Sequence, residues 1–452
     1  MPRLRRLLAP LQRGAVAAVV LLAAAVGAAA QSTCPDDAPL PSGSVPPEQA
    51  RTALRTLVRQ AIEQSPQAGA TRLLAEAALD DTAEARAAKS PQASLNASIG
   101  PSVERVRSKN ETNAAQGGVS VAISQLIWDG GRTDRLVNWR ERLADAARFG
   151  DLSSREALAL STVSLALERS RFRQQVQVYG QYVRKMQCLA RALEQIVAAD
   201  RGRLSELVQV RKSLQQAELS RTQTESQLRQ VEVRLRRLVG DTLPATEHDW
   251  SALLSAVPDV RGLQADALRS AEIAQLEASA EAAQQLARSV EASHQPRVSW
   301  TGGANAASGF GGTIGTNHSK GLSFGLAISI PLIDQGIAAA SAAAKKRAQA
   351  AQLQRDEALQ ARRARIAEVH EQTTSSFDRA ERVGAVLRDS ERLRDFTLQQ
   401  WQQLGRRSLF DVMAAESDHY GLRISLVNAQ HDGQQMNAIL LSLGQGLQGW
   451  LQ

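Results

Sequence analysis

The side chains able to ligate metal, attack a substrate or exchange protons form no usable constellation in this sequence. The six histidines (His248, His294, His318, His370, His419 and His431) lack metal-ligand spacing. His419 falls on an apolar helical seam with Val412, Ala415 and Leu422, the place of a packed residue rather than a ligand. Asp80 and Asp81 read as a solvated helix face. No glycine-rich phosphate loop follows a strand, no serine sits on a nucleophile elbow, and no paired carboxylates suggest acid–base work. The expectation is a protein that is no enzyme and uses neither metal nor cofactor.

Cys34 and Cys188 are the two cysteines, and their chemistry depends on compartment. Arg3, Arg5, Arg6 and Arg13 precede an apolar stretch at 15–26 that is short for a transmembrane helix. Small residues up to Ala30 then offer a cleavage site, so residues 1–30 read as an export signal. Past it, in an oxidising compartment, Cys34 and Cys188 can pair. Lipidation of Cys34 is the alternative, disfavoured by Gln31-Ser32-Thr33, which lack the apolar and small residues of a processing site. Residues 31–50 form a Pro-rich segment. Removing the four leader arginines halves the formal charge of +8. The remaining charges are dispersed, with no basic block interleaved with aromatics, so nucleic acid is not an expected partner.

The elements follow from periodicity. Apolar residues make up 43% of the chain but aromatics only 4%, the composition of long helices packed through small residues. The sequence also repeats. Pro91 matches Pro296, Ser124 matches Ser329, Asp129 matches Asp334 and Gly131 matches Gly336, all at one constant offset. Further on, Gly202 matches Gly405 and Ser205 matches Ser408. Two units result, 51–245 and 261–452, joined by a linker at 246–260 that is expected to lie at mid-length. Each unit predicts an Ala-rich helix (52–88 and 261–292), two strands of about ten residues, a very long helix, a short break and another helix.

The strands alternate. Leu322, Phe324, Leu326, Ile328 and Ile330 share one face, while Ser323, Gly325, Ala327 and Ser329 share the other. Leu95, Ala97 and Ile99 oppose Ser94, Asn96, Ser98 and Gly100 in the first unit. One apolar and one small polar face fit a transmembrane barrel with lipid outside and water inside, or an amphipathic soluble sheet. Four strands are too few to close a barrel, so membrane-spanning strands require several chains to share one. The stretches 132–199 and 337–403 contain no Pro and little Gly, each about 100 Å of helix. Leu207, Val210, Leu214, Ala217, Leu228, Val231, Leu235 and Leu238 follow coiled-coil spacing, interrupted at Arg221 and Thr224. The breaks at Gly202 and Gly405 turn each helix pair into a hairpin.

With its duplicated unit, its junction runs SQLIWDGGR and SIPLIDQG, and GRRSLFDV at the second turn, the chain resembles the TolC family of outer-membrane factors. A periplasmic adaptor is the alternative of another class, but it would carry one hairpin rather than two. The resemblance implies an α+β membrane fold. Three protomers contribute four strands each to a 12-stranded barrel, continuous with a periplasmic helical tunnel. It implies a homotrimer set in outer-membrane lipid that serves as exit duct for an adaptor and an inner-membrane transporter, of ABC or resistance-nodulation-division type. Without a lipidation site, the expected cargo leans towards type I protein secretion, with multidrug efflux as the alternative. Trp128, Asp129, Gly130, Gly131, Asp334 and Gly336 would make the strand-to-helix junctions, glycine bending the chain and Asp capping the helix. Gly202, Arg203, Gly405 and Arg406 would contact the adaptor. Asp411 would form a ring of carboxylates at the periplasmic constriction. Arg407 would belong to a latch whose usual acidic partner falls at Val208 here, so that the latch is either absent or moved to Glu206, beside Ser205 and Ser408. Asp411 three residues after Ser408 also reads as a helix cap.

Overall fold

In the computed structural model, the described residues are 46–104, 112–241, 243, 253–310, 317–404 and 407–451. The expected export signal, most of the Pro-rich segment, Cys34, Gly405, Arg406 and much of the linker lie outside them.

The first expected helix is in fact two, α1 (Pro47–Gln64) and α2 (Pro66–Ala87). Pro66 cannot donate a backbone hydrogen bond, so the chain breaks at Ser65, which is extended and accepts a bond from the Ala68 amide. The corresponding stretch of the second unit is also split, into α5 (Val260–Asp266) and α6 (Ala271–Glu291), with Ser270 extended between them. The long helices keep close to their expected bounds: α3 (Arg132–Ala199) and α4 (Leu204–Val239), then α7 (Gln335–Leu404) and α8 (Leu409–Leu443), with a short α9 (Leu447–Leu451). Thr224 does not interrupt the seam of α4. It is buried, because its hydroxyl donates to the Ser220 carbonyl and so loses its need for water.

The strands are longer than expected: β1 (Gln92–Glu104), β2 (Thr112–Trp128), β3 (Arg297–Phe310) and β4 (Asn317–Ser329). They form one antiparallel sheet in chain order. Its register aligns Leu95, Val121, Ala304 and Leu322 on one face and Asn96, Ser120, Asn305 and Gly321 on the other. The apolar face is bare: Leu322 is 89% exposed and Phe324 83%. The edges β1 and β4 have no further strand beside them among the described residues. Apolar side chains this exposed, on a sheet with two open edges, require lipid on the face and neighbouring strands at the edges. No helix among the described residues is long and apolar enough to cross a membrane.

Packing is distributed along the rod rather than gathered in one core. Near the junctions Ala287, Ala344 and Ala348 allow α6 and α7 to approach closely. At mid-length Leu54, Leu167, Leu235, Leu254, Leu447 and Leu451 join α1, α3, α4 and α9. Leu254 brings the end of the linker region to this level, where Asn437 donates to the Leu254 and Ala256 carbonyls. At the far end Leu193, Leu207, Leu409 and Val412 share a cluster. The two hairpin turns therefore meet at one tip.

Candidate channel site

At the first junction, Trp128 ends β2 beside a register irregularity and faces Val298; it is half exposed. Gly130 and Gly131 then take left-handed φ values of 66° and 79°. A Cβ on Gly130 would lie 2.4 Å from that of Gln295, so both backbone and space demand glycine. The Asp129 carboxylate accepts from the Gly131 amide at 3.1 Å and the Thr133 amide at 2.8 Å, meeting open donors at the start of α3. In the second unit Asp334 accepts from the amides of Gly336 (2.8 Å) and Ile337 (3.3 Å). Gly336 is not among the glycines with positive φ, so glycine's left-handed freedom shapes the first junction and not the second.

The hairpin turns also differ. At the first, Asp200 accepts from the Gly202 amide at 2.9 Å within a 3-10 turn, Arg201–Arg203. Ser205 lies exposed in the first turn of α4. Arg203 approaches Glu206 at 3.6 Å, and Val208 is exposed. At the second, the Ser408 hydroxyl accepts from the Asp411 amide, and the Asp411 carboxylate accepts from the Ser408 amide at 3.2 Å. This reciprocal cap leaves Asp411 exposed on the protomer. Arg407 donates to the Gln400 side chain at 3.2 Å. Within one protomer, Glu206 thus neighbours Arg203 and Arg407 neighbours Gln400. Cys188, on α3, is disulfide-bonded.

A polar seam between α3 and α8 was missed by sequence reasoning. Lys185 lies 3.5 Å from Glu416, with the two side chains 5% and 0% exposed. Gln175 donates to Asn428 at 2.5 Å, and the rings of Tyr182 and Tyr420 are 4.6 Å apart. Burial raises the Tyr182 phenol above its ordinary value; a bond from Ser417 opposes this and the Glu416 charge adds to it. His419 is buried in the same seam, as its spacing suggested. The available signal was Glu416, His419 and Arg423 continuing the three-and-four spacing of Val412 and Met413, polar residues where apolar ones are the rule. At mid-length, the Glu156 carboxylate accepts from the Leu447 amide at 2.7 Å and from the Gln448 amide, capping α9. Burial raises its pKa despite those bonds and the nearby Arg362 charge.

The outer membrane efflux protein family matches residues 57–241 and 263–444, one segment for each repeat. The chain belongs to the outer membrane efflux protein family. Similar folds include CusC, solved in a study of folding and transmembrane channel formation, at 18% identity and TM-score 0.78, covering 87% of this chain and 92% of that one. The outer-membrane channel OprN matches at 18% identity and TM-score 0.78, covering 93% and 96%. The outer membrane protein VceC of Vibrio cholerae matches at 19% identity and TM-score 0.73, covering 87% and 96%. No curated protein sequence matches the chain. A family member of this architecture is an outer-membrane channel with a large periplasmic part, not an enzyme. Family members act as trimers with a periplasmic adaptor and an inner-membrane pump.

Proposed function

We propose that this chain is one third of the exit duct through which small toxic compounds leave the cell, driven by a pump of the resistance-nodulation-division type. The observation that carries the duct is the four-stranded sheet, lipid-ready on one face and uncharged over most of the other, standing on two long helices of about 100 Å, and the efflux family of the chain favours small compounds as its cargo. The tip residues Gly202 and Arg203, with Gly405 and Arg406 outside the described residues, are the proposed adaptor contact, and the two arginines call for an acidic complement. Asp411 is the proposed carboxylate ring of the constriction, and Arg407, Glu206, Ser205 and Ser408 its surroundings. Loss of the gene should sensitise cells to small amphipathic toxicants, with purified protein running as a cross-linkable trimer in detergent. A monodisperse water-soluble monomer, or unchanged sensitivity together with a depleted secretome, overturns the reading. Charge reversal of Arg203 and Arg406 should impair export at unchanged trimer level; unimpaired export removes them from the adaptor contact.

Type I protein secretion by way of an ABC transporter is the second reading. It is favoured by Gln31-Ser32-Thr33 before Cys34, which lack the apolar and small residues of a lipid-processing site. The depleted secretome just named is the result that would select it.

A further inference from the structure

The lumen-side face of the sheet is almost without charge. Register places Gln92, Ser124 and Thr301 in one row and Ser98, Gly118 and Ala307 in another. Among the inner-face residues whose side chains are described, Arg297 is the only charged group, paired across the sheet with Ser329 at its helix-proximal end. Directly below lies a cavity of about 500 Å³, which Arg297 lines together with Arg132 at the start of α3. Both arginines are exposed, and neither has an ion pair among the described residues. The cavity also contains Asp129, but that carboxylate is engaged by the amides of Gly131 and Thr133 and by the Thr133 hydroxyl. Two free guanidiniums thus face one occupied carboxylate in each protomer.

We propose that Arg297 and Arg132 form an anion-attracting collar at the foot of the barrel, which favours the passage of small anionic solutes such as carboxylates and phosphates. The collar rests on the trimeric channel reading, which places six guanidiniums around one axis. Twelve strands at ~4.8 Å spacing and ~40° tilt enclose a barrel of about 12 Å radius. The axis therefore lies at about one Debye length from the collar at 0.1 M salt, close enough for its charge to act on every passing ion. Guanidinium suits the role, because its planar donors match the oxygen pairs of carboxylate and phosphate. The surrounding Ser and Gln side chains supply hydrogen bonds of either sense without competing charge.

The experiment is single-channel recording in planar bilayers across a KCl gradient, with Arg297→Gln, Arg132→Gln and Arg297→Lys each compared with the parent channel both in wild type and in an Asp411→Asn background, where the carboxylate ring of the constriction no longer sets the ratio. Trimer content is matched beforehand by electrophoresis of unheated samples. The chloride-to-potassium permeability ratio should fall about twofold in each Gln variant at about 0.1 M salt, and by more at lower salt. Arg297→Lys keeps the charge and should keep the wild-type ratio. Inorganic tripolyphosphate should reduce wild-type conductance and lose potency in both Gln variants. Gln variants that conduct with the wild-type ratio and the wild-type tripolyphosphate response refute the collar while leaving the channel intact. A wild-type trimer that conducts no ions refutes the channel reading and the collar with it.

Discussion

Replacing Glu416 by Gln removes one charge from a pair that water does not reach. Glu416 is fully buried, Lys185 is 5% exposed, and their charged atoms lie 3.5 Å apart. At that distance and an effective dielectric of 20, the attraction is about 5 kcal/mol. Removing one partner leaves an ammonium buried without its counter-charge, a change that costs about 3–5 kcal/mol. Unfolding entropy of roughly 2 cal/mol/K per residue, over a chain of this size, converts that into a fall of about 4 °C in melting temperature. The assay is circular dichroism of detergent-solubilised protein at one fixed scan rate, because unfolding of such an assembly need not be reversible. The double variant Lys185→Met/Glu416→Leu is the decisive control. It removes both charges and keeps the volume, so it should recover most of the loss. If Glu416→Gln melts with wild type, or the double variant melts below Glu416→Gln, Lys185 and Glu416 are not a buried charge couple.

Three further expectations concern the mid-length clamp, the second turn and the cysteines. Burial raises the Glu156 pKa above 4.5, so the stability linked to its proton is complete below about pH 4.5 and fades as pH rises through the folded-state value. Glu156→Gln escapes that loss, and its melting temperature relative to wild type should increase from about pH 4 to about pH 7; a constant difference contradicts the assignment. Ser408→Ala should destabilise the turn by about 1 kcal/mol without altering conductance, whereas Asp411→Asn should also relieve block by trivalent cations; identical effects would make Asp411 a cap alone. Peptide mapping without reduction should find Cys34 joined to Cys188. Ala50 shares a mid-length cluster with Val163 and Leu167, and Cys188 lies roughly 35 Å further along α3. The 34–47 stretch reaches about 40 Å in a polyproline-like conformation, so the chain is long enough, and two free thiols would refute the pairing.

Much of the architecture was legible in one dimension because its signals are local or repeated. Strand alternation needs only neighbours two apart, so the two faces of β4 could be read directly from 322–330. Absence of Pro bounded α3 and α7 to within a few residues. The breaks at Ser65 and Ser270 were missed although Pro66 marks the first, and Ser270 has no proline to announce it. Repetition identified corresponding positions, but correspondence is not identity. Gly131 needs a positive φ and Gly336 does not; Ser408 caps a helix and Ser205 does not.

What tertiary structure alone decided is the pairing of residues far apart in the chain. Lys185 and Glu416 belong to different hairpins, and no periodicity along one helix states which turn of α8 will face a given turn of α3. That register is set where the hairpins are anchored, at the Leu193–Leu409 cluster of the tip and the Leu54–Leu447 cluster at mid-length. The same holds for Arg132 and Arg297, which the sheet and the turn at Gly130 bring to one cavity. Sequence alone determined which surfaces must be hidden from water, because burial depends on residue type and spacing. Which charges face one another depended on distances that exist only once the rod is assembled, because Coulomb attraction depends on separation in space and not along the chain.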